Sequence, residues 1–154
     1  MAMKITSSAV SDGKPIPRDY TCEGADRSPP LAWSGVPSTA KSLVLLCDDP
    51  DAPGGTWHHW AVFDIPATDK GLAENLAKSE RVGAIRQGLN DFRKVGYGGP
   101  CPPPGHGPHH YRFRLLALSV DRLDLPARPG CRYVERAAAP HRVAEAVLVG
   151  IYER

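Results

Sequence analysis

The chain has 154 residues, of which 42% are hydrophobic and 23% charged, and its formal net charge is +2. This length suits one domain, residues 1–154, built around a single hydrophobic core. A charge so near zero argues against nucleic acid or an anionic membrane as a partner. No apolar run reaches the roughly 18 residues of a membrane span, so stable membrane insertion is not expected either.

Residues 4–36 are rich in turn formers, and the chain carries 16 prolines and 15 glycines spread along its length. Dispersed helix breakers favour many short strands and loops over long helices. Residues 1–5 lack the apolar core of a signal peptide, which predicts a cytoplasmic protein. In that compartment reduced thiols are expected, with a Cys22–Cys101 bond left open as the alternative. The cysteines form no CxxC pair and are Cys22, Cys47, Cys101 and Cys131.

Two apolar runs, residues 43–49 and 57–65, flank an acidic, Pro/Gly-rich turn and predict two neighbouring strands. Side chains alternate between the two faces of a strand, so Asp49 shares a face with the apolar residues of the first run. On the second run the same alternation groups His59 with Trp57, Ala61, Phe63 and Ile65. We therefore expect Asp49 and His59 at the inner ends of adjacent strands, provided that no bulge shifts either register.

Glycine and proline are so frequent in residues 83–110 that no regular element is expected there. A long irregular segment inside a compact domain is usually functional, and the aromatic residues within this one favour an ordered loop. The strand predicted over residues 109–118 begins at the end of that segment. Its alternation puts His109 and Tyr111 on the buried face, whereas His110 points outward.

The last part of the chain predicts one helix and one strand. Residues 135–149 have helical character, and a helix there either ends before Pro140 or restarts with it. Residues 147–152 are β-branched enough to form a closing strand. The predicted fold is therefore mostly β, with a short helix near the C-terminus.

At this point the chain resembles the phosphatidylethanolamine-binding and Raf-kinase-inhibitor-like family, in its bacterial–archaeal branch. The matching segments follow the family order and cover nearly the whole chain: YTCEG at 20–24, SPPLAW at 28–33, DPDAP at 49–53, HHW at 58–60, NDF at 90–92, YGGPCPP at 97–103, HHYRF at 109–113 and GIYER at 150–154. The family usually has Arg where this chain has His110, a position that faces outward.

The resemblance implies a β-sandwich of two antiparallel sheets with a small anion-binding pocket at one end. Carried over residue by residue, the pocket comprises Asp49, Asp51, His59, Pro103, His109 and Tyr111. Imidazolium and tyrosine hydroxyl groups donate hydrogen bonds to phosphate oxygens, and the two acids can orient a histidine or accept a proton from a monoprotonated phosphate. We therefore expect binding to strengthen as the pH falls through about 6.5.

The predicted function is a non-catalytic binding protein for a small anionic or phosphorylated ligand, with no cofactor. The resemblance also implies regulation of a protein kinase or protease, and a homodimer is left open. Two alternatives use the same residues. Asp49, Asp51, His59, His109 and Cys101 suit zinc by type, but no HxxxH or CxxC spacing supports a metal site. A Cys101/His109 hydrolase has no accompanying nucleophile motif, and no GxSxG or P-loop is present.

Overall fold

The computed structural model describes residues 2–154, which form two β-sheets packed face to face. The larger sheet runs, in spatial order, through β2 (Lys14–Pro15), β10 (Arg142–Tyr152), β9 (His109–Leu118), β4 (Ser42–Asp49), β5 (Trp57–Pro66), β8 (Ile85–Gln87) and β7 (Arg81–Val82). The smaller sheet contains β1 (Lys4–Thr6), β3 (Leu31–Ser34) and β6 (Gly71–Leu72). All pairings are antiparallel except that of β2 with β10. The predicted β-sandwich is confirmed.

The central strand β4 is buried along its whole length because both of its faces are covered. Its face towards the smaller sheet joins the main core, with Leu43 and Leu45 among the members. Its other face joins a second cluster, with Val44 and Leu46, beneath the helix α1 (Cys131–Ala138). A strand covered on both sides gives a continuous apolar run instead of an alternating one, as residues 43–47 do.

A bulge interrupts the pairing of β4 with β5 next to the turn that joins them. Cys47 pairs with Trp60 and Asp48 pairs with His58, which leaves His59 as an extra residue on β5. An extra residue in one strand resets the side-chain alternation beyond it. Residues on the two sides of the bulge therefore no longer follow a single parity.

The bulge makes one part of the predicted alternation wrong. Ala61 and Phe63 lie in the second cluster beneath α1, on the opposite face from the main core. His59 instead packs its ring against that of Tyr111, a main-core residue, at a centroid distance of 5.2 Å. The inward position of His59 is as expected, but the bulge, and not simple alternation, produces it.

The C-terminal helix forms earlier in the chain than predicted. Helix α1 covers Cys131–Ala138 and is followed by a 3₁₀ turn at Ala139–His141 that contains Pro140. The helical character assigned to residues 142–149 is wrong, because β10 pairs along its length with β9. Ala146 and Leu148 point into the main core from alternate positions of that strand. Among residues 2–154, no helix is long and apolar enough to cross a membrane.

The expectation that all four thiols are reduced is also wrong. Cys22 and Cys101 form a disulfide with a Cα–Cα distance of 5.4 Å, whereas Cys47 and Cys131 are free and buried. The bond ties the N-terminal loops to the Gly/Pro-rich segment 83–110. The expectation of no regular element in that segment is wrong, because β8 lies within it and pairs with β5. The Tyr97 hydroxyl donates to the carbonyl of Tyr20 at 2.7 Å and joins the same two regions.

Replacing both Cys22 and Cys101 with Ser should lower the free energy of unfolding by about 4 kcal/mol, because the bond closes a long loop in the unfolded chain. Denaturant unfolding of the two proteins measures this difference. Reductant should destabilise the wild-type protein and leave the double variant unchanged. Titration of four free thiols in the unreduced, unfolded wild-type protein would contradict the assignment.

Candidate functional site

A cavity of about 300 Å³ opens at the end of the larger sheet, where β4 ends and β5 and β9 begin. Its lining consists of Asp49, Ala52, Pro53, Trp57, His59, Phe92, Cys101, Pro102, Pro103, His109 and Tyr111. The structure thus brings together all of the predicted site residues except Asp51. They come from strand ends and loops that are remote in the chain, as the resemblance implies.

Asp49 and His109 form a buried pair at the base of the cavity. The Asp49 carboxylate lies 2.6 Å from Nδ1 of His109, and both side chains are almost completely buried. A carboxylate only accepts hydrogen bonds, so Nδ1 carries the proton and Nε2 is the nitrogen left for other partners. The second oxygen of Asp49 accepts the backbone N–H of Asp51 at 2.8 Å, which completes the pairing of the buried charge.

Asp51 lies outside the cavity lining, contrary to the expectation from the resemblance. Its carboxylate turns towards β9 and accepts hydrogen bonds from the backbone N–H of His110 at 2.8 Å and from its ring at 2.7 Å. Partial burial opposes ionisation of Asp51, but these bonds from His110 outweigh it and lower the pKa of the carboxyl group. Asp51 therefore fastens the turn after β4 to β9, and His110 faces outward as predicted.

His59 is held by the backbone of the Gly/Pro-rich loop. Its Nδ1 lies 2.6 Å from the carbonyl oxygen of Gly98, which can only accept, so Nδ1 carries the proton. Burial lowers the pKa of His59, although the bond to Gly98 opposes the shift, and the neutral ring dominates near pH 7. In this form Nε2 of His59 is a hydrogen-bond acceptor.

Tyr111 carries a buried hydroxyl group that has no hydrogen-bond partner within residues 2–154. Its side chain is about 1% exposed and lines the cavity. Burial raises the pKa of Tyr111, so the hydroxyl stays protonated and remains a donor. The nearby Asp49 carboxylate acts in the same direction through its charge and as a close acceptor, although the hydroxyl and the carboxylate do not reach hydrogen-bonding geometry. An unpaired buried donor is uncommon in folded proteins, and this one faces the cavity, where a water or a ligand oxygen can accept its hydrogen bond.

An aromatic rim, Trp57 and Phe92, borders the cavity at its mouth. Their rings meet edge to face at a centroid distance of 5.4 Å, and each residue is more than a third exposed. The Asn90 side chain positions Phe92, because its oxygen accepts the Phe92 backbone N–H at 2.9 Å. A Cβ atom on Gly98 would lie 2.6 Å from the Phe92 ring, so a larger residue there would have to displace the ring. The sequence analysis did not include Phe92 among the predicted site residues.

His106 is a second residue that the sequence analysis missed. Its Nδ1 lies 2.7 Å from Nε2 of His109, and the two rings are 4.9 Å apart. His106 sits on the exposed loop between β8 and β9, where no periodic pattern assigns a direction to a side chain. The available signal was its spacing, three residues before the predicted site residue His109.

The structure bears on the two alternatives, a metal centre and a Cys101/His109 catalytic pair. Cys101 is disulfide-bonded and offers no thiolate in this state. Within residues 2–154, the atoms of Asp48, His58 and Glu135 come close enough to hold a metal, but on the opposite face of the sheet. Arg114 already contacts both acids, at 3.2 Å from Asp48 and 2.5 Å from Glu135, so a cation would have to displace a guanidinium.

A sequence model of the family described as Phosphatidylethanolamine-binding protein matches residues 6–153. The Aquifex aeolicus protein named UPF0098 protein is 47% identical over 152 residues, covering 99% of this chain and 89% of that protein. The crystal structure of E. coli YbcL, described as a member of the mammalian PEBP family, gives a TM-score of 0.94 at 34% identity, covering 100% of this chain and 99% of that one. A structure of carboxypeptidase Y inhibitor complexed with its cognate proteinase gives 0.59 at 19% identity, over 99% and 82% of the respective chains, and shows likeness of fold alone.

The lowered pKa of His59 predicts a loss of stability in mild acid. The unfolded chain takes up a proton at His59 near pH 6.5, but the folded chain does so only at lower pH. The free energy of unfolding should therefore fall as the pH drops below about 6.5, by at most about 1.4 kcal/mol per pH unit. Protonation of Asp51 lowers the free energy of unfolding only in stronger acid, because the pKa of its carboxyl group lies below the ordinary value of 3.8.

Denaturant unfolding between pH 7.5 and pH 5 should show a smaller dependence on pH for His59→Gln than for the wild-type protein. His141→Gln is the matched control, because His141 lies outside the cavity lining, at the other end of β9, where its carbonyl oxygen accepts the Ser119 backbone N–H. Equal pH dependence in the wild-type protein and His59→Gln would show that His59 is not held neutral.

Proposed function

The chain belongs to the phosphatidylethanolamine-binding protein family, and from this premise we propose that it is a non-catalytic binding protein for a phosphomonoester or a similar small anion. The ligand contacts would be Asp49, His59, Pro103, His109 and Tyr111, which line one cavity at the end of the larger sheet. The observation that carries the proposal is the buried Tyr111 hydroxyl without a partner among the described residues. A ligand oxygen in the cavity would supply the missing acceptor.

The hydrogen-bonding groups of the cavity match a monoprotonated phosphate. Tyr111 donates, and the imidazolium form of His109 would donate from Nε2, so both suit the unprotonated phosphate oxygens. The neutral ring of His59 accepts at Nε2 and suits the P–O–H group. Because the second phosphate ionisation lies near pH 6, binding should strengthen as the pH falls from about 8 to about 6.

The aromatic rim favours an organic ester over free phosphate. Trp57 and Phe92 offer exposed apolar surface directly beside the polar base of the cavity. A ligand with an apolar group next to its phosphate would cover this surface and gain the free energy of its removal from water. A cavity of about 300 Å³ has room for such a group.

Other expectations stay predictions. Regulation of a protein kinase or protease rests on the family resemblance, and the likeness to carboxypeptidase Y inhibitor, at 19% identity, is one of fold. A homodimer also stays a prediction. The cytoplasmic location also stays a prediction, and the Cys22–Cys101 disulfide argues against the reducing compartment that it implies.

Tyr111→Phe separates ligand binding from folding. The hydroxyl group has no internal partner among the described residues, so its removal should leave the free energy of unfolding unchanged or slightly higher. Affinity for phenyl phosphate, measured by calorimetry at pH 6, should fall about tenfold, because a donor to a charged oxygen is lost. A variant that binds as tightly as the wild-type protein would contradict the proposal.

Incubation with phosphomonoesters and peptides should give no turnover that depends on the cavity. The control is His59→Ala, since hydrolysis by this site would be lost in that variant. Turnover by the wild-type protein that disappears in His59→Ala would replace the binding function with a hydrolase.

A further inference from the structure

His106 and His109 face each other nitrogen to nitrogen beside the cavity. Nδ1 of His106 lies 2.7 Å from Nε2 of His109, which is a hydrogen-bonding distance. His109 is about 1% exposed, whereas His106 is exposed on its loop. His106 thus occupies the one nitrogen of His109 that the bond to Asp49 leaves available.

This geometry fixes the number of protons between the two rings. Two facing nitrogens form a hydrogen bond only when a single proton lies between them, because one nitrogen must donate and the other accept. When both rings are protonated, two N–H groups point at each other and the bond is lost. The doubly protonated pair then needs an acceptor placed between its members.

We propose that the gap between His106 and His109 is a second anion position. In the free pair one ring is charged: the imidazolium of His109, beside Asp49, donates from Nε2 to the neutral ring of His106. When one phosphate oxygen enters the gap, Nδ1 of His106 takes up one proton. Each imidazolium then donates to the anion, and no covalent bond forms or breaks. The His106 ring can turn away from His109 to admit the oxygen, because His106 is exposed on its loop. The inference rests on the proposed function and extends it to a residue outside the cavity lining.

The charges around the pair favour a monoanion. The Asp49 carboxylate neutralises one of the two imidazolium charges, which leaves a net positive charge for the ligand. The Tyr111 ring stacks on His109 at a centroid distance of 6.4 Å, and its hydroxyl stays protonated. The other titratable or charged groups near the pair or its loop are Asp51, His110 and Arg154. The carbonyl oxygen of Arg154 accepts the backbone N–H of Gly105.

Calorimetry with phenyl phosphate tests the inference in the wild-type protein, His106→Gln and the matched control His141→Gln. Titrations at pH 6 in buffers of different ionisation enthalpy count the protons taken up on binding. His106→Gln keeps a neutral donor but cannot titrate, so it should take up close to one proton fewer than the wild-type protein. Its affinity should fall about tenfold at pH 6 and much less at pH 8, and His141→Gln should match the wild-type protein.

The titrations distinguish a failure of the second anion position from a failure of the proposed binding function. If the wild-type protein binds phenyl phosphate and His106→Gln equals it in affinity and proton uptake, the second anion position is overturned and the proposed function stands. If neither phenyl phosphate nor inorganic phosphate binds the wild-type protein, both are overturned. An unchanged melting temperature of His106→Gln, expected for an exposed loop residue, shows that any loss is not unfolding.

Discussion

The hydrogen bond between Asp49 and His109 is the interaction on which the rest of the site depends. It joins the end of β4 to the beginning of β9, and it fixes which nitrogen of His109 can meet a ligand. A buried carboxylate costs several kcal/mol unless it is paired, and apolar residues in place of such a pair often give equal or greater stability. The stability of the fold therefore does not require this polar pair, and both the pair and the unpaired Tyr111 hydroxyl are consistent with the proposed ligand binding.

The sequence predicted the fold well where local pattern and burial agree. β4 and β5 appear within a residue of the predicted runs, and β9 has the predicted bounds, since each fills a position covered on at least one face. The helix near the C-terminus was placed too late, because alanine-rich sequence has helical propensity and only pairing with β9 makes 142–149 a strand. The disulfide depends on the approach of two loops far apart in the chain, which no local pattern encodes.

The site residues on regular strands were predicted from the sequence, and those at a bulge or on loops were not. His109 and Tyr111 follow directly from alternation on a regular strand, whereas His59 reaches the same cavity through a bulge that alternation cannot foresee. Asp51 is polar and close in sequence to Asp49, yet its carboxylate serves the turn, because His110 provides two donors on the outer side. Phe92 and His106 lie on irregular loops, so their positions depend on backbone contacts made elsewhere in the fold.

The two outermost strands of the larger sheet, β2 and β7, contain two residues each. One of them includes Pro15, which has no backbone N–H to offer a neighbouring chain. A sheet grows by recruiting strands from other molecules along unpaired borders, and β2 covers that border of β10 at Gly150 and Ile151. At these positions the sheet offers another chain no free strand edge to pair with, while the cavity at its end stays open.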